Sequence, residues 1–345
     1  MYRWGGGAYH GDLYGVIISL KNLFDAWKEF KCGKIKKADV SQFAVDVEEH
    51  LFDLHHRLAV EQYSHGQYSA FYVRDPKLRS IHKAKVIDRV LHHAIFRVVE
   101  PIFDTSFIFD SYSSRKTKGT YKAGDRFRKF TWKLSQNNTK TVWVLKGDIK
   151  KFFDSVDHEI LLTLLKKKIK DQKVMDVLIN IIRSFSTGEG KGIPLGNLTS
   201  QLFSNVYLDK LDQFIKRVLQ VKYYIRYADD FAILSTDKTS LEKIIPVIRS
   251  FLETELKLSL HPNKVHVLKW HQGVDFLGYI HFPYHSIMRT KTKKRMLRKI
   301  KETRKAFQNG LMSKYSLNQV IQSYLGQLKH CRSKKLRKLI SKTLL

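Results

Sequence analysis

Cysteine is nearly missing from this 345-residue chain: Cys32 and Cys331 are the only two. A pair so far apart in sequence excludes a disulfide framework and a Cys-rich zinc site, and it suits a reducing cytoplasm, the expected location. Acidic side chains are also scarce, 32 against 63 lysines and arginines, for a net charge of +31. Such an excess points to a polyanionic partner, because Lys and Arg bind phosphates and release condensed counterions. No long hydrophobic span is present, so no membrane partner is expected. The apolar run over residues 13–20 is short, follows Asp12 and lacks a cleavage site, and is not read as a signal peptide. No histidines have better metal-ligand spacing than His50, His55 and His56, which read as ordinary residues of an acidic helix. What the chain does have is 43% apolar residues, enough for a substantial core.

The positive charge is unevenly placed. Residues 289–345 carry eighteen Lys and Arg and a single acid, Glu302. A solvated helical face interleaves signs. This one does not, so it reads as a nucleic-acid clamp, with the apolar residues of 297–307 and 320–328 as packing faces of a small helical bundle. Past Asp275 there is no other acid. A nuclease module needs several carboxylates, so none is expected there, and cutting would be left to other proteins.

Hydrophobic spacing predicts the elements. Residues 1–20 are glycine-rich at the start and poorly patterned, and read as a loosely ordered lead. Leu23, Trp27 and Phe30 form one helical group, and Phe43, Val47, Leu51, Leu54 and Leu58 another, with residues 31–37 as the loop between them. Residues 68–82 read as strand, turn, strand around Asp75-Pro76-Lys77, followed by a helix over 85–99 that Pro101 closes. Asp157 or Ser155 caps a helix through Leu161, Leu162, Leu165 and Ile169. Residues 192–196 form a loop and 199–218 a helix. Residues 241–256 form another helix that Pro246 kinks or starts, and 274–282 a strand pair.

Two acidic features stand out within this pattern. Tyr227-Ala228-Asp229-Asp230 lies between the apolar runs 223–225 and 231–234, which predicts a β-hairpin with carboxylates at its tip. Adjacent aspartates repel, so such a turn suits a cation. Upstream, the apolar run 142–145 ends in Lys146-Gly147-Asp148, which puts Asp148 at the end of a strand. Mg²⁺ takes octahedral oxygen coordination from one or two carboxylates and substrate phosphates. Two such ions about 4 Å apart activate an attacking hydroxyl and stabilise the leaving oxygen of a phosphoryl transfer.

Further stretches fall in a telling order. Lys77-Leu78-Arg79 lies on the early hairpin, and Ser111-Tyr112-Ser113-Ser114-Arg115 precedes Lys118-Gly119-Thr120. Gly192-Ile193-Pro194-Leu195-Gly196-Asn197-Leu198-Thr199-Ser200-Gln201 precedes the acidic hairpin, while Pro262-Asn263-Lys264 and Phe276-Leu277-Gly278-Tyr279 follow it. Together they resemble the reverse transcriptases over residues 68–330. The resemblance implies an α+β right-hand polymerase: an N-terminal helical lead (1–67), fingers and a palm with an antiparallel sheet (68–285), and a basic helical thumb (286–345). It implies a template RNA, a DNA or RNA primer, deoxynucleotides and two Mg²⁺ ions. Asp148, Asp229 and Asp230 would be catalytic, with the metals on Asp148, Asp229 and the backbone of Ile149. Lys77, Arg79, Arg115, Phe153, Leu195, Gly196, Gln201 and Lys264 would bind the nucleotide. Of these, Lys77 and Arg79 hold the triphosphate, Phe153 gates against a 2′-hydroxyl and Lys264 sits near the leaving pyrophosphate. Phe276, Leu277, Gly278 and Tyr279 would grip the primer end.

One departure narrows the resemblance. Most reverse transcriptases carry Gln before the glycine of the third motif and Ser-Pro after it, where this chain has Leu195 and Ser200-Gln201. That form is similar to the enzymes of diversity-generating retroelements, which copy RNA with errors at adenines and work with a small basic helical accessory protein. An aliphatic Leu195 removes a hydrogen-bonding group from the wall beside the base pair, worth about 1 kcal/mol. Alternatives are a reverse transcriptase of antiphage defence or of a group II intron, and a catalytically silent RNA-binding protein. The short chain weighs against the intron enzyme. The intact Asp148, Asp229 and Asp230 weigh against the silent binder, because a pure binder has no need of acids that repel phosphates.

Overall fold

Asp12 accepts the amide of Gly15 at 2.7 Å and so starts the first helix, α1 (Leu13–Ile18). The structure, a computed structural model, describes residues 11–74 and 78–341. Three more helices follow, α2 (Leu20–Lys31), α3 (Ala38–Phe43) and α4 (Val47–Ala59). On α2 the buried residues Leu23, Ala26, Trp27 and Phe30 recur at helical spacing. Burying a side chain the size of Leu23 or Phe30 contributes about 1.5–3 kcal/mol. The expected loose lead is corrected from residue 11 onward: Leu13, Tyr14 and Ile17 are buried, and the Tyr14 hydroxyl donates to the Leu58 carbonyl at 2.5 Å. Residues 1–10 lie outside the described part.

Next come the antiparallel hairpin of β1 (Ser69–Arg74) and β2 (Leu78–Lys83), then α5 (Val86–Asp104) and α6 (Thr120–Leu134). Pro101 does not close α5, which runs on to Asp104. A proline one turn from a helix end removes a single ladder bond, and the buried stripe Val90, Leu91, Ala94, Ile95, Val99 and Phe103 holds the last turn in place. The chain continues through β3 (Trp143–Asp148), α7 (Phe152–Ser155), α8 (His158–Lys166), α9 (Gln172–Arg183) and α10 (Leu198–Gln213), which relaxes into a π-turn over Phe214–Val218. Asp157 caps α8 by accepting the Ile160 amide at 3.1 Å.

The remaining elements are β4 (Tyr224–Tyr227), β5 (Asp230–Ser235), α11 (Lys238–Leu256), β6 (His266–Lys269), β7 (Val274–Phe276), β8 (Tyr279–His281), β9 (Ser286–Met288), α12 (Thr290–Gln308), α13 (Lys314–Leu328) and α14 (Lys334–Ser341). Pro246 neither starts nor interrupts α11; Asp237 caps it by accepting the Thr239 amide. Helices α6, α7 and α9 and strands β6 and β9 have no counterpart in the sequence reading. Between residues 120 and 134, lysines and arginines crowd the apolar stripe of Ala123, Phe127 and Phe130 and obscure its period.

The central sheet has strand order β4-β5-β3-β6, all antiparallel. Both faces are buried. Leu145, Tyr224, Phe231 and Ile233 enter the main core with the N-terminal helices and α8–α11. Their strand neighbours Val144, Ile225, Ala232 and Leu234 meet Ala123, Phe127 and Phe130 of α6 and Val274 and Phe276 of β7. That two-sided burial is why these strands read as apolar runs instead of alternating. A second sheet, β7-β8-β9, spans the expected boundary between palm (to 285) and thumb (from 286). The last three helices share a core of Met296, Ile300, Leu317, Ile321, Leu328 and Ile340. Among the described residues, no helix is long and apolar enough to cross a membrane.

Candidate active site

Strand register brings the acid groups together. Asp148 pairs with Asp230 across β3 and β5, and Tyr227 pairs with Asp230 across β4 and β5, leaving Ala228-Asp229 as the hairpin turn. Ala228 is left-handed at φ 52°, and the Asp229 carbonyl accepts the Ile149 amide at 3.3 Å. Gly147, beside Asp148, is required by packing: an added Cβ would lie 2.2 Å from Cζ of Phe231. Burial raises the Asp229 carboxyl above its ordinary range, and the charge of Asp148 adds to the effect. Asp230 is pushed up to about 6, first by burial and then by the charges of Asp229 and Asp148.

Cations face this cluster. Lys264 Nζ lies 2.6 Å from Asp148 Oδ1, carried there by a segment whose His261 amide donates to the Asp148 carbonyl at 2.8 Å. Arg79, exposed on β2, sits near enough to Asp229 for its charge to oppose the upward shift. Lys77 lies outside the described residues. Among the described residues, no three His, Cys, Asp or Glu side chains are disposed to hold a metal as they stand. The histidines of α4 have other partners: His55 Nδ1 lies 2.8 Å from the Ile18 carbonyl, and His50 stacks on Phe43.

The loop over residues 192–196 is anchored on two sides. The Ile193 amide donates to the Phe153 carbonyl at 2.8 Å, next to the half-buried Phe153 ring, and the His82 amide of β2 donates to the Leu195 carbonyl at 3.2 Å. The Asn197 side chain donates to the His82 carbonyl at 2.9 Å. Gly196 has φ 112°, and a Cβ there would lie 2.9 Å from Cγ2 of Ile81. The structure therefore brings Leu195 and Gly196 against the β1–β2 hairpin. Gln201 is exposed on α10, with no described contact to the acids.

The Arg115 side chain is buried and turned onto its own loop. Its guanidinium is bonded to Asp104 and donates to the carbonyls of Ile108 at 2.7 Å and Ser111 at 3.0 Å, so it ties down its own loop. Leu277 and Gly278, at φ 52° and 88°, form the two-residue turn between Phe276 and Tyr279, the primed geometry that hairpins favour. Phe276 is buried, and the Tyr279 hydroxyl donates to the Gln327 carbonyl of α13 at 2.9 Å. A cleft of about 1060 Å³ runs from Arg74 at the end of β1 to Lys291, Lys294, Arg298 and Lys299 of α12.

Sequence reasoning missed what lies under the acidic turn. Arg226, Asp212 and Tyr224 are fully buried there. Arg226 stood in plain view as the one charge between Ile225 and Tyr227 in an apolar strand.

Comparison with known proteins agrees with this geometry. The family model described as "Reverse transcriptase (RNA-dependent DNA polymerase)" matches residues 74–281. Protein YkfC of Escherichia coli is 28% identical over 242 residues, 59% of this chain and 63% of that protein. The group II intron-encoded protein LtrA of Lactococcus lactis is 28% identical over 191 residues, 54% of this chain and 28% of LtrA. The chain thus spans less than two thirds of the length of either relative. In fold it is similar to telomerase from Candida tropicalis solved with a fragment of telomeric RNA, with a TM-score of 0.51 at 12% identity, covering 76% of this chain and 53% of that one. Because the family match takes in more than half of the sequence, and with it every strand of the central sheet, this chain belongs to the reverse transcriptases.

Proposed function

We propose that the chain is an RNA-directed DNA polymerase that copies a template RNA into cDNA by two-metal nucleotidyl transfer. The observation that carries this reading is the register that sets Asp148 opposite Asp230, with Asp229 on the adjoining turn. The donor set fits Mg²⁺: the side chains are carboxylates, hard oxygen ligands, and burial together with their neighbours' charges raises Asp229 and Asp230 in a way that a nearby dication relieves. Asp148, Asp229 and the backbone of Ile149 would hold the ions, with Asp230 beside them. Bound there, two Mg²⁺ ions supply activation of the attacking hydroxyl and charge neutralisation at the leaving oxygen.

The chain's own residues do the positioning, which phosphoryl transfer needs more than covalent help. Lys77 and Arg79 hold the triphosphate of the deoxynucleotide. Lys264, now on Asp148, serves the pyrophosphate. Phe153 forms the wall against a 2′-hydroxyl, Leu195 and Gly196 line the base pair, and the 276–279 hairpin grips the primer end. Residues 68–285 form fingers and palm behind the helical lead 1–67, and 286–345 the thumb that clamps template and primer. Asp229→Asn and Asp148→Asn are expected to lower Mg²⁺-dependent deoxynucleotide incorporation on an RNA template at least 100-fold while RNA binding persists. Incorporation by Asp229→Asn at the wild-type rate overturns the assignment.

The finer reading is an error-prone enzyme of a diversity-generating retroelement, supported by Leu195 in place of Gln and working with a structured template RNA and a small basic helical accessory protein. A second reading, an intron-encoded enzyme, is favoured by the likeness to LtrA. Sequencing cDNA made from a defined RNA separates them. Frequent misinsertion opposite adenine supports the first, and uniform accuracy at all four bases supports the second.

A further inference from the structure

The turn that presents Asp229 has an unfavourable backbone. Ala228 sits at φ 52°, a region that costs a residue with a Cβ roughly 1 kcal/mol or more. Something must hold it there, and one side chain touches it from below. Arg226 Nη1 donates to the Ala228 carbonyl at 3.1 Å. The other donors of that guanidinium are fixed: Nε and Nη2 grip the two oxygens of Asp212 at 2.7 and 2.6 Å, and Nη2 also reaches Ser111 Oγ at 3.0 Å. The Tyr224 hydroxyl donates to Asp212 Oδ1 at 2.6 Å, and neither member of the ion pair is exposed at all. The Arg226 backbone is pinned as well, its amide donating to the Asp110 carbonyl at 3.0 Å and its carbonyl accepting from Tyr112 at 2.9 Å.

A buried ion pair of this kind is a poor device for stability, since apolar residues of similar volume often do as well or better. It is a good device for direction. A forked guanidinium locked at Nε and Nη2 leaves Nη1 aimed at the Ala228 carbonyl, with Asn205 Oδ1 at 3.5 Å as its other acceptor.

We propose that Arg226, oriented by Asp212, is a positioning residue that fixes the Ala228–Asp229 peptide and so aims the Asp229 carboxylate at the metal site. The inference rests on the polymerase reading above. Arg226 touches no reacting atom, and its whole effect passes through the turn.

The test compares Arg226→Lys, and the apolar pair Arg226→Met with Asp212→Leu, with the wild type in complex with an RNA template and DNA primer. Mn²⁺ binding is read by the electron paramagnetic resonance of the free ion, alongside kcat, KM for deoxynucleotide and template–primer affinity. Arg226→Lys keeps the charge but loses the fork, so it serves if the double variant fails to fold. Expected are a tenfold or greater fall in both kcat and Mn²⁺ affinity, with template–primer affinity within about twofold of wild type. Ala228→Gly, which tolerates the left-handed turn, is expected to restore part of the loss in the Lys background. Folded variants that bind Mn²⁺ and turn over as the wild type does overturn the role. A wild type that is itself inactive overturns the polymerase reading instead, and the Mn²⁺ comparison still judges Arg226.

Discussion

Single side chains set the tolerances of this site. Gly147 lies under the Phe231 ring, with 2.2 Å left for a Cβ, and Phe231 is wedged in the main core. Gly147→Ala is therefore expected to cost about 1–3 kcal/mol in a urea unfolding experiment, with activity falling further because Asp148 is the next residue. On the proposed retroelement reading Leu195 offers no hydrogen bond to a base pair, and Leu195→Gln is then expected to lower misinsertion opposite template adenine several-fold, read by cDNA sequencing, without abolishing synthesis. The placement of the acids was legible in the sequence because carboxylates between apolar runs have few places to go but a strand end or a turn. Arg115 was not legible. An arginine in a polar loop looks the same whether it faces a ligand or, as here, spends its donors on nearby carbonyls. Arg226 was visible as a lone charge in an apolar strand, but its role was not, since its partner Asp212 is contributed by a different element.

At the scale of elements, spacing found three of the four strands of the central sheet and most of the longer helices, missed β6, and erred where a local rule met a stronger packing force. Pro101 and Pro246 both sit inside helices whose apolar stripes continue past them. The gap at α6 has a counterpart on β8. Gly124 of α6 leaves room for the His281 ring, which would lie 3.4 Å from a Cβ there. His281 Nδ1 lies 2.8 Å from Ser286 Oγ, while the buried Nε2 has no hydrogen-bond partner. Burial lowers His281 from 6.5 to about 4. The folded state therefore holds this imidazole neutral while the unfolded chain protonates it, so stability falls as pH drops from about 6.5 to about 4. His281→Gln removes that dependence. Its stability deficit at pH 7 is expected to shrink by up to about 3 kcal/mol at pH 4, measured by urea unfolding at both pH values.

The whole molecule is a strongly basic body with a small acidic centre. Four lysines and arginines of the cleft, Lys291, Lys294, Arg298 and Lys299, lie on one helix across from Arg74. Replacing all four with Gln is expected to weaken template–primer binding and to flatten the plot of log K against log salt by roughly 3, since each phosphate contact contributes about 0.7–0.9 to the slope. An unchanged slope in a filter-binding series would place the clamp elsewhere. Three cores support this body, and several contacts tie the third to the sheet β7-β8-β9, the Arg332 amide on the Ser286 carbonyl among them. Another is the Tyr279 hydroxyl on the Gln327 carbonyl, at 2.9 Å, and such a bond is lost once the atoms part beyond about 3.5 Å. A swing of α13 by less than an ångström therefore either breaks the bond or drags the Leu277-Gly278 turn with it. Helix α13 and the 276–279 hairpin are thus latched to each other at this tyrosine.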